Sequence, residues 1–163
     1  MNSELKNKIS KIKIIATDFD GIWTNAMVYV GDSGQEMVQC SRKDTLRIKE
    51  IKSLGIEILV ISKEKNSVVF ERCQKMGVAC FQGVDEKITL LKKLLADKNL
   101  RPENVVYVGD DINDLECLKY VGLPMTVADG HKLCKKIALY TTTKGGGDHA
   151  MREIFDLILN TRS

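Results

Sequence analysis

Two apolar runs in this chain end directly in acids. Ile12-Lys13-Ile14-Ile15-Ala16-Thr17 leads into Asp18-Phe19-Asp20-Gly21, and Val105-Val106-Tyr107-Val108 leads into Gly109-Asp110-Asp111. Short apolar runs bounded by turn residues read as buried strands. Carboxylates at such an end are poor building material for a fold, because a buried charge is costly unless it is paired. An α/β sheet opens its ligand crevice at the carboxyl ends of its strands. The two acidic ends therefore point to the place where chemistry happens.

Strand and helix patterns alternate along the rest of the chain. A hairpin is predicted from Met27–Val30 and Glu36–Gln39 around Gly31-Asp32-Ser33-Gly34. Helical segments are expected over Asp44–Ser53, stopped by Gly55, and over Asn66–Met76, stopped by Gly77. Ile56–Ile61 and Ala79–Gln82 read as strands, and Glu86–Ala96 as an amphipathic helix with Ile88, Leu91 and Leu95 at helical spacing. Val105–Gly109 is a strand and Asp111–Tyr120 a helix. Short strands at Leu123–Val127 and Ala138–Thr141 flank a helical turn at His131–Lys135. Gly145-Gly146-Gly147 opens a flexible loop before a last helix over Ala150–Asn160. This βα order implies an α/β fold, doubly wound, with a mostly parallel sheet covered by helices on both faces. The only insertion after the first strand is the hairpin, a small flap and not a cap domain, so residues 1–163 read as one domain.

Composition excludes several classes. The 163 residues carry a net charge of +3 with no dominant basic block, so no nucleic-acid partner is expected. No apolar run approaches the roughly 20 residues that span a bilayer. Residues 1–11 are polar and lysine-rich without an apolar core, which argues against a secretory signal. The five cysteines form no C-x-x-C pair and read as reduced, mostly buried thiols of a cytoplasmic protein.

The acids suggest a metal. Asp18 and Asp20, brought together by a turn at Gly21 with Asp110 nearby, would make the hard oxygen pocket that Mg²⁺ prefers. Asp111, Asn113 and Asp114 thicken this acidic cluster at a strand-to-helix junction, where capping accounts for part of the acidity. Ser62, directly after Ile58–Ile61, offers a hydroxyl to a phosphate oxygen, though it also suits a helix N-cap. Lys87, at a predicted helix start, is a point-charge phosphate binder in type.

In their order along the chain, Asp18-Phe19-Asp20, Ser62, Lys87 and Gly109-Asp110-Asp111 resemble the four motifs of the haloacid dehalogenase-type phosphohydrolases. The resemblance runs from about Ile12 to the last helix. Asp18 to Thr24 followed by a short hairpin is similar to the capless subgroup of sugar-acid phosphatases, which act on 3-deoxy-manno-octulosonate 8-phosphate or on nonulosonate (sialic acid type) 9-phosphates. Lys43-Asp44, Phe81-Gln82-Gly83-Val84, Val127-Ala128-Asp129-Gly130-His131 and Gly146-Gly147 fit the same pattern. Lys63-Glu64 stands where the octulosonate enzymes carry Gly-Arg, and Glu64 with Arg72 and Lys75 leans the reading toward the nine-carbon branch. Asp148-His149 departs from the usual Arg-Gly of the glycine-rich loop, which in the family reaches a neighbouring active site.

The resemblance implies a Rossmann-like fold and a Mg²⁺-dependent phosphomonoesterase. Asp18 would be the nucleophile and Asp20 the general acid and base. Ser62 and Lys87 would bind the phosphoryl oxygens. Asp18, Asp110 and the Asp20 backbone carbonyl would hold the metal. Thr24, Lys43, Glu64, Arg72, Lys75 and Asn113 would contact substrate. It also implies a homotetramer whose hairpins line the open site, in keeping with the apolar Met27-Val28-Tyr29-Val30. Two other readings stand beside it. One is a non-catalytic oligomerisation domain of a sialic acid activating enzyme, against which the retained Asp18, Asp20, Lys87 and Asp110 speak. The other is a phospho-receiver domain, whose phosphorylated aspartate ends a later strand.

Overall fold

The short central strands carry apolar side chains on both faces, so the sheet must be covered twice. In the computed structural model, which describes residues 3–162, this is met by helices on each side. The elements run α1 (Ser3–Ser10), β1 (Ile14–Thr17), β2 (Thr24–Val30), β3 (Glu36–Cys40), α2 (Ile48–Ser53), β4 (Glu57–Ile61), α3 (Ser67–Met76), β5 (Ala79–Phe81), α4 (Lys87–Asp97), β6 (Val105–Val108), α5 (Leu115–Tyr120), β7 (Leu123–Thr126), α6 (Lys132–Ile137), β8 (Tyr140–Thr141) and α7 (Ala150–Arg162).

Six strands form one parallel sheet in the order β5-β4-β1-β6-β7-β8, and β2 and β3 form the separate antiparallel hairpin. Ile15, Ile58, Val60, Val106 and Val108 pack on one face with α1, α2, α3 and α7. Ile14, Ala16, Leu59, Ile61, Val105 and Tyr107 pack on the other with α4, α5 and α6. This division is the period-2 alternation of each strand made visible. The chain winds from β1 outward to β4 and β5, then returns to β6 on the other side of β1. Winding reverses there, and ligands bind at such switch points. The register sets Thr17 beside Val108, so Asp18 and Gly109 leave the sheet side by side.

Several elements differ from the sequence expectation. The lysine-rich start is helical over Ser3–Ser10, held by Arg162, whose guanidinium donates to the carbonyls of Ile9 and Ile12. Residues 1, 2 and 163 of the expected domain lie outside the described residues. The segment expected as one helix from Asp44 is a 3-10 turn over Lys43–Thr45, then α2 from Ile48. The helix expected from Asp111 opens with a 3-10 turn over Ile112–Asp114. The strand expected from Ala138 shortens to Tyr140–Thr141: Ala138 caps α6 through its N–H to Cys134 O, and Leu139 N donates to Pro124 O of β7.

Asp44 explains the first of these shortenings. Its carboxylate is fully buried and accepts from the backbone N–H of Arg152 at 3.0 Å, 108 residues away. The N–H groups of His149 and Met151 also point at it. Asp44 is thus the acceptor that caps α7, and the 3-10 turn delivers it there. Asp44→Ala is expected to lower unfolding free energy by about 1–2 kcal/mol in urea titration, with Asp44→Asn losing less.

Candidate active site

The turn after β1 is clasped from several sides. Asp18 donates its backbone N–H to Val108 at 3.0 Å and its Oδ1 accepts from Phe19 N at 2.7 Å. Trp23 folds back, donating Nε1 to Thr17 Oγ1 at 2.8 Å and its backbone N–H to Phe19 at 2.9 Å. Thr24 Oγ1 donates to Asp20 Oδ1 at 3.1 Å and accepts from Gly21 N and Ala26 N. Gly21 has φ of 77°, and a Cβ there would lie 2.0 Å from Asp110 Oδ2. Only glycine gives both the left-handed backbone and the approach of the second acidic strand end.

The triple-glycine segment is not the free loop its composition suggests. Gly147 N donates to Ile22 O at 3.0 Å, Gly146 N donates to Asp129 Oδ1 at 3.0 Å, and a Cβ on Gly146 would sit 1.9 Å from Gly21 O. Backbone packs on backbone, so these glycines buttress the acidic turn of their own chain, while Asp148 stays exposed.

Lys87, the first residue of α4, places a buried ammonium between two carboxylates. Nζ lies 2.5 Å from Asp18 Oδ2 and 2.8 Å from Asp114 Oδ1. Asp114 is saturated with donors. Its Oδ1 also accepts from the Tyr107 hydroxyl at 2.8 Å, and its Oδ2 from Asp110 N at 3.1 Å and Asp111 N at 3.5 Å. Thr126 Oγ1 donates to Gly109 O at 2.7 Å and His131 N to Asp110 O at 2.7 Å, which fixes the backbone of the second acidic turn.

Carboxylate oxygens of Asp18, Asp110 and Asp114 all lie within 4.8 Å of one another. Burial, with repulsion from Asp114, lifts the Asp18 carboxyl to about 7 despite Lys87. Burial, with repulsion from Asp18 and Asp114, lifts Asp110 to about 8. Burial also raises Asp20, against the Thr24 hydrogen bond. Lys87 is opposed by burial, but Asp18 and Asp114 outweigh it and hold its pKa above the ordinary value. Asp110 Oδ1 is buried without a donor. An acid-rich pocket with an orphaned carboxylate oxygen suits a hard divalent cation. Asp114, occupied by four donors, suits that role less than Asp18 and Asp110 do.

The remaining candidates divide. Ser62 is buried, and its Oγ accepts from Glu64 N at 3.1 Å, leaving the O–H to donate. Asn113 is exposed, with Nδ2 at 3.5 Å from Asp18 Oδ2. Asp111 is exposed and caps the 3-10 turn through Ile112 N at 2.7 Å. Thr24 acts on Asp20. Glu64 lines a cavity of about 270 Å³ with Asp20, Glu36 and Asn66. Arg72 and Lys75 line a second cavity of about 800 Å³ with Val38 and Cys40, whose lining includes neither Asp18 nor Asp20. Lys43 is exposed on its 3-10 turn. Tyr107 and Thr126 were not expected from the sequence as site residues. A tyrosine inside an all-valine strand was the available signal, since a buried hydroxyl needs a partner.

The sequence profile of the haloacid dehalogenase-like hydrolases matches residues 42–148. The chain belongs to that family. It is a phosphatase of the capless kind, with only a two-stranded hairpin between β1 and α2. The 3-deoxy-D-manno-octulosonate 8-phosphate phosphatase of Escherichia coli K12 is 33% identical over 98% of this chain and 85% of its own length. The Moraxella catarrhalis phosphatase of the same name, solved with magnesium, phosphate and KDO, superposes with a TM-score of 0.94 at 30% identity, over 99% of this chain and 93% of its own. The cobalt-bound Haemophilus influenzae enzyme gives 0.89 at 28% identity, over 95% and 91%.

The raised carboxyls carry a sign. A folded-state pKa above the ordinary 3.8 means that the native protein holds more protons than the unfolded one, so ionisation costs stability as pH rises toward 8. In chelator-treated protein, Asp110→Asn is therefore expected to melt above wild type at pH 8, with the gap closing toward pH 4. A pH-independent difference by calorimetry would contradict this electrostatic account.

Proposed function

We propose that this phosphatase hydrolyses 3-deoxy-manno-octulosonate 8-phosphate with Mg²⁺ as its cofactor. The observation that carries the reaction class is the buried Asp18–Lys87–Asp114 array beside the orphaned Asp110 oxygen. The near full-length similarity to octulosonate 8-phosphate phosphatases supports the eight-carbon substrate. The leaning toward a nine-carbon substrate rested on Glu64 and finds no support among these relatives, so the eight-carbon reading takes its place.

Asp18 attacks phosphorus and forms an aspartyl-phosphate, while the sugar oxygen leaves with a proton from Asp20. Burial favours the protonated Asp20 needed for that step, and Thr24 holds its carboxyl in place. Asp20 then takes a proton from the water that opens the acyl phosphate. Lys87 and Ser62 hold phosphoryl oxygens as charge shifts between attacking and leaving atoms. Asp18, Asp110 and the Asp20 carbonyl would hold Mg²⁺, which lessens repulsion between nucleophile and phosphate.

We also propose that copies of the chain complete the open site, as a homotetramer. Met27, Val28, Tyr29, Val30 and Met37 are 51–67% exposed along the hairpin, an apolar surface large enough to need cover. The decisive assay is phosphate release across octulosonate 8-phosphate, a nonulosonate 9-phosphate and neutral sugar phosphates. The expected outcome is preference for the first, loss on chelation with recovery on adding Mg²⁺, and no turnover by Asp18→Asn. Preference for the nine-carbon ester would keep the mechanism and restore Glu64 as a selectivity element.

A further inference from the structure

Lys87 can serve the phosphate only if something stops it from collapsing onto one of its two carboxylates. Asp18 Oδ2 and Asp114 Oδ1 both lie within 2.8 Å of Nζ. Were Asp114 Oδ1 bonded to Lys87 alone, that oxygen would draw the ammonium away from Asp18 and from any bound phosphoryl group. It is not alone, because the Tyr107 hydroxyl donates to the same oxygen at 2.8 Å.

We propose that Tyr107 is a positioning residue of the phosphatase, setting the place of the Lys87 ammonium through Asp114. Its ring is fully buried in β6 on the face shared with α4 and α5, so the hydroxyl reaches the site from beneath, out of contact with substrate. The placement follows from strand alternation. Val106 and Val108 face the other layer, and Tyr107 alone on β6 brings a polar tip to the layer where α4 delivers Lys87 and the 3-10 turn delivers Asp114. The hydroxyl remains a donor, since burial and the neighbouring carboxylate keep its proton on. With Oδ2 held by the N–H groups of Asp110 and Asp111, the Tyr107 bond completes the fixing of Asp114. Lys87 then shares its donors between a fixed anchor and the nucleophile, with a further N–H left for phosphate.

The inference rests on the phosphatase chemistry and not on the sugar. It is therefore tested with p-nitrophenyl phosphate and inorganic phosphate on Mg²⁺-supplemented protein, which separates its failure from a wrong substrate assignment. Tyr107→Phe removes one oxygen and keeps the ring. The expected result is a KM raised roughly tenfold, with kcat falling less, and a matching loss of inorganic phosphate affinity by calorimetry. Because Tyr107 acts through Asp114, adding Tyr107→Phe to Asp114→Asn should change neither constant further. Two outcomes overturn the proposal. One is a Tyr107→Phe variant that melts lower but keeps wild-type KM and phosphate affinity. The other is a pair of effects that multiply in the double variant.

Discussion

One buried ammonium among three carboxylates is the constraint around which the rest is arranged. Lys87 offsets one negative charge, but Asp18, Asp110 and Asp114 bring three into a space under 5 Å across. Packing alone cannot hold such a centre, because buried like charges raise one another's pKa values and favour neutral forms. The protein meets the problem unevenly. It gives Asp114 a full set of donors and leaves Asp110 Oδ1 with none. That asymmetry distinguishes Asp114, fixed by its donors, from Asp110, whose free oxygen suits a divalent cation. Phosphate, itself an anion, could approach this crevice only once such a cation offsets the crevice's charge.

Backbone does much of the holding. The crevice lies where winding reverses between β1 and β6, and the parallel register brings Asp18 level with Gly109. Two glycine contacts then allow approaches that no side chain would permit, Gly21 against Asp110 and Gly146 against Gly21. The stack runs from Asp129 through the glycine segment to the acidic turn and on to Asp110. Asp44 holds the far end by capping α7, which begins just after that segment.

The legible part of the sequence was the part whose signal is local. Strand ends running into acids located Asp18 and Asp110, and the start of α4 located Lys87, because periodicity and turn residues fix these without knowledge of neighbours. The parts that escaped depend on contacts across the chain. Asp44 read as the start of a helix, yet its partner lies 108 residues on. The polar, lysine-rich start carried no assigned element, since the docking of its helix depends on Arg162, which donates to the carbonyls of Ile9 and Ile12. Three glycines in a row read as freedom, whereas here they are the condition for close packing. Local pattern predicts where an element lies, and it is silent about which buried polar group completes it.

The same distinction explains why reaction class was easier to read than substrate. The groups proposed to handle the phosphoryl group, Asp18, Ser62 and Lys87, are buried and positioned by strand ends and a helix start, so their spacing is constrained by the fold. The residues proposed to contact the sugar sit on exposed or half-exposed ground. Glu64 is exposed and lines a cavity, Lys43 and Lys75 are exposed, and Arg72 is half-buried, its guanidinium donating to Ser41 O at 3.2 Å. A substitution at Glu64, Lys43 or Lys75 disturbs little packing, whereas a change at Asp114 leaves buried donors unmatched at a cost of about 1–3 kcal/mol. Substrate choice is therefore free to vary over a fixed catalytic centre, and one surface residue such as Glu64 is a weak guide to the length of the carbon chain. On the proposed function, selectivity would be assembled from the exposed hairpin surface and the copy proposed to cover it, acting on a phosphate held by Ser62 and Lys87.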